Sequence, residues 1–375
     1  MKQDNVIVYT LSNVCVSQNT QWTFYNENPD VGAIKRSQEF YDAIYKHVNL
    51  KYWACGRYGQ HSYSQAAGEE WADRIKLFIN ELTNSGEKID YSIQMCGHPN
   101  LVHPYPYFIV VDYMPYVDIS MMDYDHWPII KQKEHQHEQE NLYKNAQGII
   151  CFTPVLRHLL INYFEVDPCK VTSICSGVNG FVDINYQKSP EKIILWVGQD
   201  YERKGGDDVI KAFSIFRQSH PDYKLYMVGV NKDINEPNVK IFPFLHGDEL
   251  NILDNLYKKA KMFVMPSYRE NLGLVYLEAM ARKTPIIATT RGGLAQMLRQ
   301  SNSGLVVKPG NIKMLVNSMM LLAENEEMYH YYSNKAYMFS YNNARWDIFT
   351  CRLFDAIKKW NNGEEVVEDY NIYDF

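Results

Sequence analysis

The chain has 375 residues, enough for about two domains with a hydrophobic core each. Its hydrophobic (46%) and charged (22%) fractions are those of an ordinary globular protein, and a net charge of −6 argues against general nucleic-acid binding, which needs a basic field. Seven scattered cysteines, none in Cys-x-x-Cys spacing, read as reduced thiols of a cytoplasmic protein; residues 1–10 are too polar for a signal peptide, and no 18-residue apolar run is present.

In chain order, Asn5–Leu11 reads as a first buried strand, followed by a polar loop over Ser17–Asp30. Gly32–Val48 and Glu69–Leu82 carry apolar residues at helical spacing. The stretch around Lys35, Arg36, Lys46 and Lys51 mixes cations with aromatics as interfacial helices do, but the acidic net charge favours a core helix over membrane contact. "YSIQMCG", Tyr107–Tyr113 and Asn145–Thr153 read as strands, Val155–Phe164 as a helix and Lys170–Gly177 as a strand. "EHQHEQE" reads as a solvated helix rather than a metal site, because His135 and His137 fall on different faces.

After a polar, proline-containing linker, Asn185–Lys192, a second series begins. Ile193–Gly198, Lys224–Gly229, Lys261–Ser267, Pro285–Thr290 and Gly304–Gly310 read as strands. Asp207–Gln218, Ile312–Met328 and Ala344–Trp360 read as helices. Short apolar strands alternating with helices predict parallel sheets covered on both faces. The expected class is therefore α/β, with two Rossmann-like doubly wound domains facing a central cleft. The expected domains are 1–186, 187–340 and a helix over 341–362 that packs back on the first, with an acidic tail over 363–375.

Three segments of the second half carry chemistry. "RENLGLVYLEAM" places Glu270 and Glu278 at either end of a mostly apolar run containing Gly273. A helix starting near Leu274 puts Glu270 in the entry loop and Glu278 about one turn inside. Unpaired N–H groups at the helix start suit an anion, and the glycine allows its close approach. Taken alone, this stretch is equally an ordinary helix turn with two solvated glutamates. "WVGQDYERKGG" sets Lys204 in a polar loop after a strand ending in Gly198, where a lysine can neutralise a leaving diphosphate. "TTRGG" sets Gly292 and Gly293 after another strand. The Gly-x-Gly-x-x-Gly of nicotinamide dehydrogenases and the Walker lysine loop are both absent from the sequence.

The order strand–Gly–loop–Lys–Gly, then "PSYRENLGLVYLEAMA", "PIIATTRGG" and "SGLVVKPGN", resembles the retaining glycosyltransferases of family 4, which have the GT-B fold. The resemblance is strongest over Lys192–Asn311 and extends upstream over Asn145–Ile184. It implies metal-independent transfer of a sugar from a nucleotide-diphosphate sugar to a hydroxyl of a glycan or other acceptor, with no cofactor. Glu270 would bind the donor sugar, the backbone around Asn271, Leu272, Gly273 and Leu274 the diphosphate, and Glu278 the ribose. Lys204 would stabilise the leaving diphosphate, beside Gly198. The arginine usual after the strand glycine is Gln199 here, and Arg203 is a neighbour that can compensate. Gln296 and Lys283 replace a usual acid and a usual glycine.

In the first half, Gly32 is the remaining candidate of the family's glycine-rich loop. Asp112 stands about where a histidine is usual, with His98 as the other candidate near the acceptor. Gln199 and the reduced glycine loop motivate an alternative, a non-catalytic sugar-nucleotide-binding protein of the same fold.

Overall fold

The computed structural model describes residues 4–10, 39–40, 42–44, 46–55, 80, 84–86, 88–95, 105–111, 129–245, 247–270 and 272–366. Two compact units divide the chain: the first takes residues up to Cys175 and again from Phe349, the second Ser176–Ile348. The sequence predicts the first division at 186/187 and the return at 341. The earlier switch has a local cause: Val178 N–H donates to Ala344 O (2.8 Å) and Val182 N–H to Ala281 O (3.2 Å), both within the second unit.

The first unit holds a six-stranded, all-parallel sheet in the order β2-β1-β3-β4-β5-β6. Its strands are β1 (Asn5–Thr10), β2 (Asn49–Cys55), β3 (Tyr91–Met95), β4 (Tyr107–Val111), β5 (Gly148–Cys151) and β6 (Val171–Ser173). Helix α1 (Ile129–Asn145) carries the His135/His137 stretch, and His137 is exposed 3.9 Å from Glu140. Thr153 accepts from Leu156 N–H and Pro154 fills the first turn, which together start helix α2 (Pro154–Asn162). Strand β2 was not expected: "NLKYWAC" follows the cationic, aromatic stretch read as one helix face. Its pairing with β1 puts Lys51 in an edge strand, which corrects that reading.

The second unit repeats the design with the order β12-β11-β10-β7-β8-β9. Its strands are β7 (Glu191–Val197), β8 (Lys224–Val228), β9 (Val239–Phe242), β10 (Ala260–Val264), β11 (Ile286–Thr289) and β12 (Leu305–Val307). Every pair is parallel, and the inner strands are buried on both faces. The chain moves outward from β7 to β9, then crosses back to lay β10 on the other side of β7. The sheet's switch point therefore lies between β7 and β10, where open α/β sheets bind ligands.

The helices of this unit are α3 (Gly206–Phe216), α4 (Leu250–Lys259), α5 (Leu274–Met280), α6 (Gly293–Ser301), α7 (Ile312–Glu324) and α8 (Glu326–Asn343). The expected single helix over 312–328 is broken at Asn325. Its N–H closes α7 on Leu321 O, while its side chain accepts from Met328 N–H and opens α8.

Helix α9 (Trp346–Asn361) begins in the second unit and continues in the first. Phe349, Leu353 and Ile357 are buried, and Trp360 stacks on Phe108 and donates to Cys169 O (2.8 Å). Trp346, at the start of the same helix, packs over Gly177 and bonds Asn179, within the second unit.

The linker read over Asn185–Lys192 is pinned to the second unit. Lys188 Nζ donates to Tyr257 O (2.8 Å), Lys258 O (2.8 Å) and Thr284 Oγ1 (2.8 Å), and reaches Arg282 O at 3.2 Å. Lys283 Nζ donates to Ile184 O (2.7 Å) and Tyr186 O (2.8 Å). Lys283 itself sits at φ 56°, the left-handed region, which explains why a glycine suits this position. Among the described residues, no helix is long and apolar enough to cross a membrane.

Candidate active site

Two loops meet at the switch point: 198–205 after β7, and 265–273 after β10. The first is closely fitted. Gly198 N–H donates to Val228 O (2.9 Å), and a Cβ on Gly198 would lie 2.3 Å from Lys204 Cδ, so the lysine stem runs directly over the glycine. Trp196 Nε1–H holds Lys204 O (3.1 Å). Gly205 takes φ 70°, and a side chain there would strike Pro266 O at 2.4 Å. The result is that α3 starts two residues after Lys204, with Gly205 between them, and the lysine is turned back over the strand end.

The second loop brings Glu270 to the same place. Tyr268 N–H donates to Arg203 O (2.8 Å), and Arg203 Nη1 donates to Arg269 O (2.7 Å), tying the loops together. Lys204 Nζ and Arg203 Nη1 each stand 3.6 Å from one oxygen, Glu270 Oε2. That oxygen is buried and has no hydrogen bond among the described residues. Two cations share one carboxylate oxygen at a distance beyond a hydrogen bond, which leaves a buried acceptor unfilled among the described residues. Burial pushes the Lys204 ammonium below its usual value; the Glu270 carboxylate pulls it back up and Arg203 pushes it down again. Arg203 is also held by Asp200 (Nε to Oδ2, 2.7 Å).

Gly273 caps α5 at φ 66°, and a Cβ there would come within 2.6 Å of the Tyr276 ring and 3.0 Å of Glu270 Cγ. The glycine thus makes room for Glu270 itself. Leu272 is buried and Leu274 exposed. Glu278, half-buried on α5, accepts from Tyr257 O–H at 2.9 Å. Gln199 is exposed after Gly198.

The structure therefore gathers Gly198, Arg203, Lys204 and Glu270 at one strand-end site, with Gly273, Leu274 and Glu278 on the adjoining helix. Asn271, Asp112, His98 and Gly32 lie outside the described residues. Tyr257 was not singled out from the sequence: a tyrosine in "DNLYKK" carries no signal until α4 is seen to pack its hydroxyl against Glu278. Among the described residues, no group of three or more His, Cys, Asp or Glu side chains is arranged to hold a metal ion.

The family model described as glycosyl transferases group 1 matches residues 182–339, which contain this entire site. Residues 182–339 are a group 1 glycosyltransferase domain. The glycosyltransferase resemblance reaches beyond that domain. An uncharacterized glycosyltransferase of Methanocaldococcus jannaschii is 28% identical over 238 residues, covering 57% of this chain and 60% of the relative. The chain spans about half the length of the curated relatives it matches.

Solved glycosyltransferases share the fold across nearly all of the chain. The sucrose-phosphate synthase of Thermosynechococcus elongatus superposes with a TM-score of 0.67 at 14% identity, covering 96% of this chain and all of the other. The Anabaena HepE protein in complex with UDP superposes with a TM-score of 0.62 at 14% identity, with the same coverage. The fold is GT-B, built from the two Rossmann-like units.

Proposed function

We propose that the protein transfers a sugar from a nucleotide-diphosphate sugar to an acceptor hydroxyl, with retention of anomeric configuration and without a divalent ion. The observation that carries this reading is Glu270 Oε2, a buried acceptor without a hydrogen bond among the described residues, flanked by Lys204 and Arg203 at the sheet's switch point. A donor sugar hydroxyl supplies the hydrogen bond that Glu270 lacks. The diphosphate lies against Lys204, Arg203 and the backbone of 272–274, and Glu278 accepts from the ribose. The chain is similar to the UDP-bound HepE protein, which supports a nucleotide donor.

In the reaction, the bond between the anomeric carbon and the β-phosphate oxygen breaks, and its electron pair leaves with the diphosphate. Lys204 and Arg203 stabilise that charge more strongly in the transition state than in the bound donor. The acceptor oxygen bonds to the same face of the sugar, and its proton passes to the leaving phosphate. Arg203 here serves the position that Gln199, exposed and uncharged, leaves unfilled.

The test is a thermal-shift panel of UDP, GDP and ADP, followed by turnover of the matching nucleotide sugars. One nucleotide is expected to raise the melting temperature selectively. Its sugar conjugates are expected to release diphosphate with an acceptor present, unchanged by a chelator. Binding with no turnover on a broad acceptor panel would favour the non-catalytic alternative. Gly198→Ala is a sharper probe. Its Cβ would sit 2.3 Å from Lys204 Cδ, so the ammonium must move. Turnover is expected to fall about 100-fold, the usual cost of displacing a catalytic group by about 1 Å, with melting little changed.

A further inference from the structure

We infer that Tyr257 is a positioning residue that fixes which oxygen of Glu278 faces the nucleotide, and so sets the discrimination for the ribose hydroxyls. The inference rests on the reading of Glu278 as the ribose acceptor and adds the group that orients it. A glutamate on a helix surface has three side-chain torsions and no reason to present one oxygen rather than the other. Here Tyr257 O–H takes Oε2 at 2.9 Å, while among the described residues Oε1 has no hydrogen bond. One oxygen is held by the protein and the other is left for a ligand donor.

Tyr257 is itself immobile. It is 1% exposed on α4, with its ring 6.0 Å from Phe263 and the Arg282 guanidinium 5.6 Å from the ring centre. Its carbonyl accepts from Lys188 Nζ (2.8 Å) and Thr284 Oγ1–H (2.7 Å). The same Arg282 donates to the Glu278 carbonyl (3.1 Å) and pairs with Asp254 (2.9 Å). The backbone of Glu278 and the ring that holds its carboxylate are thus braced by one guanidinium. A fixed donor on one carboxylate oxygen lowers the ordering cost of binding a hydroxyl on the other, which is pre-organisation.

The experiment measures binding of whichever of UDP, GDP and ADP gives the largest thermal shift, and of its 2′,3′-dideoxy form. Wild type, Tyr257→Phe and Glu278→Gln are compared. Wild type is expected to prefer the ribo form by about tenfold or more, the value of a hydrogen bond to a charged group. Tyr257→Phe removes one oxygen from a packed ring and is expected to fold. It should bind the dideoxy form as wild type does and the ribo form about tenfold more weakly, so the preference collapses. A preference unchanged in Tyr257→Phe, or an equal loss for both forms, would overturn the role of Tyr257. A wild-type protein with no preference, or Glu278→Gln retaining it, would instead overturn the placement of Glu278 on the ribose.

Discussion

Replacing Lys204 by alanine is expected to lower sugar transfer by about 100- to 1,000-fold, the range seen when one pre-organised electrostatic group is removed from a transition state. The fold should survive, because Glu270 keeps Arg203 at 3.6 Å. Glu270→Gln separates the roles within this cluster. It removes the carboxylate that stands 3.6 Å from both Lys204 and Arg203, so a bare nucleoside diphosphate should bind more tightly to the variant than to wild type. Transfer should nevertheless fall steeply, because the sugar loses its acceptor. The Glu270 carboxylate also holds the Lys204 ammonium up against burial, so the alkaline limb of nucleotide binding should move to lower pH in Glu270→Gln. Diphosphate release and calorimetric binding over a pH series read all three. Turnover at the wild-type rate in either variant would refute the assignment.

The site was legible because its parts lie in continuous motifs. Glu270, Gly273 and Glu278 come from one stretch, and Gly198, Arg203 and Lys204 from another. What a sequence does not display is the distance between two loops about 65 residues apart in the chain. The register of β7 against β10 makes Arg203 and Lys204 neighbours of one oxygen, and no spacing rule contains that. Gly198 looks like a strand terminator; its actual constraint is the lysine stem lying on it. Lys283 reads as a stray substitution until its positive φ and its two carbonyl partners are seen together. The two strands that went unread, β2 and β9, are edge strands at the ends of their sheets, where only one neighbour imposes a pattern. The single helix expected over 312–328 failed for a local reason: Asn325 caps in both directions, and asparagine inside an apolar periodicity is weak evidence of a break until the cap geometry is known.

The polar stretch before β7 looks like a linker in the sequence, but its Lys188 holds carbonyls at two helix ends. Lys188→Met is expected to destabilise the second unit by about 2–4 kcal/mol, because buried acceptors left without a donor cost about 1–3 kcal/mol each. Tyr257 O and Lys258 O belong to the last turn of α4, where helix carbonyls have no intrahelical partner, and Arg282 O follows the end of α5. One ammonium therefore caps two helix ends, and the negative ends of both helix dipoles favour its charge. Burial and the nearby Arg282 guanidinium act against this and bring Lys188 down to about 7. The sign follows from proton binding. Between about pH 7 and the ordinary lysine value near 10.4, the unfolded chain holds a proton on Lys188 that the folded chain has lost. Folding stability from this group therefore rises with pH across that window, and the cost of burying the ammonium is present in full below it. Urea unfolding of the second unit, followed through buried Trp196 at pH 6 and pH 9, tests both statements. Lys188→Met should lower the midpoint at each pH, and the gap to wild type should be wider at pH 9. A gap that narrows with pH would mean that the helix-end carbonyls outweigh burial and hold Lys188 charged throughout.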